Sequence, residues 1–229
     1  MLEGRQHEVM RQQMIAEVVA DAVFLTPQIG KSSFDSRVIE VMGRIPRHEF
    51  VPVELRAYSY INSPLPVGYG KTVSQPFIIA LMTDLLEPQA GDTVLEVGAG
   101  VGYQAAILAE LVKQVYSIEI IEELALETRK RLERLGYRNI EVGVGNGYYG
   151  WSEHAPFDKI IVTAAPDLIP PPLIAQLKPG GRIVIPTGIP DKQQLVVLEK
   201  SADGKLATRE VLPVRFSELE EGADAAGAA

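Results

Sequence analysis

Val94-Leu95-Glu96-Val97-Gly98-Ala99-Gly100-Val101-Gly102-Tyr103-Gln104 is the stretch whose reading decides the fold. It opens as a short apolar strand and passes through three glycines spaced two apart. It then continues without a break into Ala105-Ala106-Ile107-Leu108-Ala109-Glu110-Leu111, which suits a helix. The pattern is strand, tight turn, helix. Glycine is wanted where the turn needs positive φ and where a Cβ would hold a ligand off the backbone, beside the positive end of a new helix. The loop reads as a nucleotide-type site, with a purely structural turn as the other reading of so short a motif.

The spacing selects the nucleotide. A dinucleotide fingerprint needs Gly-x-Gly-x-x-Gly, whereas Tyr103 stands where its last glycine belongs. The next strand, Gln114-Val115-Tyr116-Ser117-Ile118-Glu119, ends in a carboxylate placed to accept two hydrogen bonds from a ribose diol. Glycines and a ribose acid without a pyrophosphate cradle point to S-adenosylmethionine.

The chain has 229 residues, 46% hydrophobic and 23% charged, so one domain with a sizeable core is expected. A formal charge of -8 argues against nucleic acid as a partner. Cysteine is absent, which removes disulfides, thiolate ligands and a cysteine nucleophile. His7, His48 and His154 lie far apart in sequence, so no metal site is expected. With no long apolar run and no signal-peptide pattern, a cytoplasmic protein is expected.

Helical spacing of apolar residues over 8–23 predicts a packing helix, and Asp35 is placed to cap a short one carrying Val38, Ile39 and Met42. Residues 46–76 show no sustained period, and so long an irregular stretch suits a site or a lid. Pro76 opens a helix to about residue 86, which makes Ser74 by spacing alone a candidate cap. After the glycine loop come a helix over 121–135 ended by Gly136, strands over 140–144 and 157–164, and a helix over 170–177. A turn at 178–181 and a strand over 182–186 follow. Two further strand-like runs, 194–199 and 206–214, are joined by Ser201-Ala202-Asp203-Gly204, a hairpin signature. The expected fold is α/β, a three-layer, doubly wound, mostly parallel sheet ending in an antiparallel hairpin. Residues 1–34 read as a helical extension, 35–216 as the main domain and 217–229 as a disordered tail.

Four blocks beyond the glycine loop carry a family resemblance. They are Ile45-Pro46-Arg47-His48-Glu49-Phe50-Val51-Pro52, Pro64-Leu65-Pro66-Val67-Gly68-Tyr69-Gly70-Lys71-Thr72-Val73-Ser74-Gln75-Pro76, and the pair Trp151-Ser152-Glu153-His154-Ala155-Pro156-Phe157-Asp158 and Val162-Thr163-Ala164-Ala165-Pro166. Over about residues 35–216 the chain resembles the protein-L-isoaspartate O-methyltransferases. The resemblance implies a repair enzyme that moves a methyl from S-adenosylmethionine to the α-carboxylate of L-isoaspartyl residues in damaged proteins and peptides. A methyl ester and a succinimide then lead toward aspartate. It implies Ser74 as the active-site hydroxyl, with Tyr69, Thr72, Val73 and Gln75 beside it on the substrate. It implies cofactor contacts from Glu96, Gly98, Ala99, Gly100, Gly102, Tyr103, Gln104, Glu119, Ile120, Asn146 and Gly147, with the glycines under the methionine part, Glu119 on the ribose and Asn146-Gly147 at the adenine. The chain departs from the family pattern at Ala99 and Val101, at Asn146 in place of Asp, and at Arg215-Phe216-Ser217-Glu218. These departures motivate an alternative, a methyltransferase of the same fold acting on another carboxylate, either an unmodified aspartate in a dedicated peptide or a small acid. A binding module without turnover is a third reading, against which the retained Ser74 and Glu119 speak.

Overall fold

The computed structural model describes residues 2–220. Helix α1 (Leu2–Phe24) is followed by a single turn, α2 (Thr26–Ile29), and by α3 (Ser36–Met42). Asp35 caps α3 as its position suggests, its carboxylate accepting from Arg37 N at 2.9 Å. The stretch that lacks period is not structureless. It forms two 3₁₀ turns, Arg47–Glu49 and Val53–Tyr58, and a small antiparallel pair, β1 (Leu65–Gly68) with β2 (Lys71–Val73). Strands this short give no readable alternation, and their turn holds Gly68, Tyr69 and Gly70 all at positive φ.

The core then runs α4 (Pro76–Leu86), β3 (Thr93–Val97), α5 (Tyr103–Ala109), β4 (Gln114–Glu119), α6 (Glu122–Arg134), β5 (Ile140–Val144), β6 (Phe157–Val162), α7 (Pro171–Gln176), β7 (Leu177–Thr187), β8 (Gln193–Lys200) and β9 (Leu206–Val214). The seven strands lie in the order β5-β4-β3-β6-β7-β8-β9. Pairing is parallel from β5 to β7, while β8 joins β7 and β9 in antiparallel register. The expected fold class is borne out.

Strand sequence explains the layering. Inner parallel strands bury both faces, so they read as continuous apolar runs rather than alternating ones. In β6, Ile161 faces a cluster with α4, α5 and α6, while Ile160 and Val162 face the opposite cluster with Leu173 of α7. The N-terminal helix belongs to the first cluster through Val18 and Ala22, both fully buried.

Two expectations are corrected. Residues 178–181 form no separate turn; they bulge within β7, whose pairing with β6 jumps from Phe157↔Leu177 to Lys159↔Arg182. Gly180 takes φ 79° there, and a Cβ on Gly181 would meet the Asp158 carbonyl at 2.8 Å. Residues 217–220, expected to be disordered, are held in place. Ala165 N donates to Ser217 O at 2.8 Å, and Leu219 N to Ala165 O at 2.9 Å. Composition hid this, because these two backbone bonds need no particular side chains. The rest of that stretch, 221–229, lies outside the described residues.

Candidate active site

Strand β3 has β4 on one side and β6 on the other, so strand order reverses beside it. A crevice opens at the carboxyl ends of strands at such a point, and ligands bind there. A cavity of about 610 Å³ occupies that place, within the size range of small-molecule sites.

Gly98, Gly100 and Gly102 all adopt positive φ, at 93°, 51° and 85°. Their surroundings differ. Gly98 and Gly100 line the cavity. A Cβ on Gly98 would collide with Thr163 Oγ1. Gly102 does not line the cavity but serves packing, since a Cβ there would come within 2.8 Å of Thr128 Cγ2 and 3.2 Å of Leu132 Cδ1 on α6. Neighbouring loop carbonyls are tied down by α6, with Thr128 Oγ1 donating to Gly100 O at 2.6 Å and Arg131 Nη1 to Val101 O at 3.0 Å.

Glu119, at the end of β4, is 6% exposed and lines the cavity. Its Oε2 accepts from Gly100 N at 2.8 Å and its Oε1 from Ile121 N at 3.1 Å. Each ionised oxygen keeps acceptor capacity for a cavity-side donor. Ile120 and Gly147 complete this part of the wall, and a Cβ on Gly147 would strike Val97.

Ser74, Thr72 and Gln75 line the same cavity from β2 and the entrance to α4. The cap of α4 is not Ser74. Asn62 Oδ1 accepts from Phe77 N at 3.0 Å, and Asn62 Nδ2 donates to Asp21 of α1 at 2.8 Å. Ser74 is held through its main chain, its carbonyl accepting from Arg47 Nη2 at 2.8 Å.

The remaining expected site residues lie outside the cavity wall. Glu96 is fully buried and accepts a short hydrogen bond from Ser117 Oγ, and burial pushes its carboxyl up to about 8. Ala99 is 4% exposed within the loop. Tyr103 is buried under the Arg47 guanidinium, 4.7 Å from its ring centroid. Gln104 ties α5 to α4 through Thr83 Oγ1 at 2.9 Å. Val73 packs in the core, and Tyr69 stands in the hairpin turn, its hydroxyl donating to Glu127 at 3.2 Å. Asn146 turns its side chain onto its own backbone, accepting from Tyr148 N at 3.0 Å.

The structure also places residues in the wall to which sequence reasoning gave no role in the site. Asp21 comes from α1 and Leu25 from just past it, Thr163 and Ala164 follow β6, and residues 212–220 come from β9 and beyond. Thr163 donates to the carbonyls of Gly98 at 2.8 Å and Val97 at 3.1 Å, fixing the glycine turn. Its position just past a parallel strand was the available signal. Among the described residues no group of three His, Asp or Glu could hold a metal ion, and no helix is long and apolar enough to cross a membrane.

A doubly wound sheet with an antiparallel end, a glycine turn and an acid on the next strand defines an S-adenosylmethionine-dependent methyltransferase. The residues present fit that cofactor: bare glycine backbone and a carboxylate with spare acceptor capacity share one cavity wall. The profile described as protein-L-isoaspartate(D-aspartate) O-methyltransferase matches residues 24–224, and the chain belongs to that family. It is 61% identical over 213 residues to protein-L-isoaspartate O-methyltransferase 1 of Polaromonas sp. strain JS666, covering 93% of this chain and 90% of the relative. Against protein-L-isoaspartate O-methyltransferase 2 of Syntrophobacter fumaroxidans, identity is 58% with coverage of 93% and 86%. A solved protein-L-isoaspartate O-methyltransferase superposes with TM-score 0.74 at 29% identity over 87% of this chain and 65% of that one. A Plasmodium falciparum structure in complex with S-adenosyl-L-homocysteine has the same fold, with TM-score 0.76 at 21% identity over 94% and 99%.

Proposed function

We propose that Ser74 and Glu119 divide the work of a protein-repair methylation, Glu119 anchoring the methyl donor and Ser74 aiming the acceptor. The acceptor is the α-carboxylate of an L-isoaspartyl residue in a damaged protein or peptide. Bound in the cavity, S-adenosylmethionine supplies an electrophilic methyl group on a sulfonium. A substrate carboxylate has a reference pKa near 3.5 and is already ionised near pH 7, so the chain needs no general base. The reaction then rests on orientation, an effect worth up to about 7–11 kcal/mol.

Glu119 is suited to the ribose because two loop amides already fix its carboxylate and leave acceptor capacity toward the cavity. Gly98 and Gly100 let the ligand lie against the main chain, and Gly147 opens the adenine end without Asn146 entering the cavity. Ser74 donates its hydroxyl proton in a hydrogen bond that holds the attacking carboxylate in line. Thr72 and Gln75 flank it, and residues 212–220 cover the opposite side, which excludes water as opposite charges cancel.

One observation carries the reading: Ser74 and Glu119 line a single cavity, and helix α4 is capped by Asn62 rather than by Ser74. Family membership weighs against a different carboxylate acceptor. Matched peptides bearing isoaspartate or aspartate at one position, assayed for methyl transfer, test it. Transfer to the isoaspartyl peptide alone is expected; equal transfer to both would sink the reading.

A further inference from the structure

Lys71 begins β2, three residues before Ser74, and both residues line the cavity. Its ammonium is held by a residue far along the chain, donating to Glu220 Oε1 at 2.6 Å. Residues 217–219 approach that contact as an extended segment, bonded through backbone groups on both sides of Ala165 in the manner of an added strand. The chain's own acidic peptide thus lies along one wall of the substrate side with a carboxylate on Lys71. Glu220 is 56% exposed and Lys71 24%, so the pair contributes little to stability and its carboxylate can exchange with a competing one.

We propose that Lys71 is a specificity residue that receives an acidic side chain of the substrate, and that Glu220 is its internal competitor. The proposal rests on the isoaspartyl reading above and adds a position to it. Extended residues rise about 3.3 Å each and Ser74 directly follows β2, so Lys71 lies roughly 10 Å along the chain from Ser74. An extended substrate has the same rise, which places the acidic residue three positions from the isoaspartyl residue. The other charged groups facing the cavity do not offer this. Asp21, Glu119 and Glu218 are acidic, and Arg215 follows β9 rather than belonging to the β2 segment that leads into Ser74.

The test uses labelled isoaspartyl peptides with Glu or Gln three residues before, or three residues after, the damaged position. Binding is read by fluorescence anisotropy and methyl transfer on the same peptides. Wild-type protein should prefer Glu over Gln weakly on one of the two sides. Glu220→Gln should tighten the Glu peptide by about threefold relative to its Gln twin, the scale of an exposed ion pair. Lys71→Gln should abolish the difference, and Lys71→Arg should keep it. Thermal melts identify any variant that fails to fold, and the Lys71→Arg and Glu220→Gln pair then decides alone. An unchanged Glu-to-Gln ratio in Glu220→Gln, or a preference that survives in Lys71→Gln, overturns the proposal. A charge preference in binding without methyl transfer to any isoaspartyl peptide would overturn the isoaspartyl reading, whereas methyl transfer to isoaspartyl peptides without the charge preference would overturn this proposal alone.

Discussion

The Arg47 guanidinium donates to the main-chain carbonyl of Ser74 at 2.8 Å, although the two residues are 27 positions apart. The same guanidinium donates to Ser59 O at 2.9 Å and lies over the ring of Tyr103, the first residue of the helix after the glycine turn. Arg47 is fully buried, so it ties the main chain at Ser74 to the start of the helix after the glycine turn. Replacing it with Met leaves the buried Ser59 carbonyl and the partly buried Ser74 carbonyl without that donor, each worth up to about 1–3 kcal/mol. The expected result is a lower melting temperature and a kcat that falls further than cofactor affinity. Arg47→Lys, which keeps the charge but not the two-pronged reach, should recover only part of both. Calorimetry and steady-state kinetics on the two variants check this.

Ser74→Ala should lower turnover on isoaspartyl peptides with little change in melting temperature, because the hydroxyl does not cap α4. Asn62→Ala should do the reverse, losing about 1 kcal/mol of stability as the cap at Phe77 disappears. A Ser74→Ala variant destabilised as much as Asn62→Ala would move Ser74 from the reaction to the scaffold.

Glu119→Gln is expected to weaken S-adenosylmethionine binding by at least tenfold, on the scale of about 1.5–3 kcal/mol for a hydrogen bond to a charged group. The amide keeps one acceptor where the carboxylate serves two loop amides, so part of the loss comes from a loosened glycine turn. Titration calorimetry showing unchanged affinity would remove Glu119 from the ribose.

Glu96 gives the protein a pH dependence. Its carboxyl, normally near 4.5, is raised to about 8 by burial. Between those values the folded state holds a proton that the unfolded chain has released. Stability therefore declines as pH rises through the window, by up to about 1.4 kcal/mol per unit, and Glu96 adds no further slope above it. Glu96→Gln, which is neutral throughout, should gain on the wild type steadily from pH 5 to 8 in urea unfolding. Parallel stability curves for the two proteins would contradict this.

The sheet was legible because its strands are written twice, in apolar runs and in the glycines and hairpin turn that bound them. Residues 206–214 and 140–144 match the structure residue for residue. The site was legible where a motif residue borders the cavity, as at Ser74, Thr72, Gln75, Gly98, Gly100 and Glu119. It was not legible where neighbours in a motif point elsewhere, since Glu96, Gln104 and Val73 share the motifs but are committed to the core. A linear motif cannot say which face of a strand or helix its alternate residues take up. Nor could it reveal Asp21 or residues 212–220, whose role depends on contacts made from opposite ends of the chain.

That last arrangement bears on when the enzyme becomes active. The cavity is walled by α1, by the carboxyl ends of strands from the middle of the chain, and by residues 212–220. Translation delivers these in that order, and a chain stopped before residue 212 lacks one wall. The cavity is complete only once β9 has docked on β8 and residues 217–219 have bonded to Ala165, so activity cannot precede that closure.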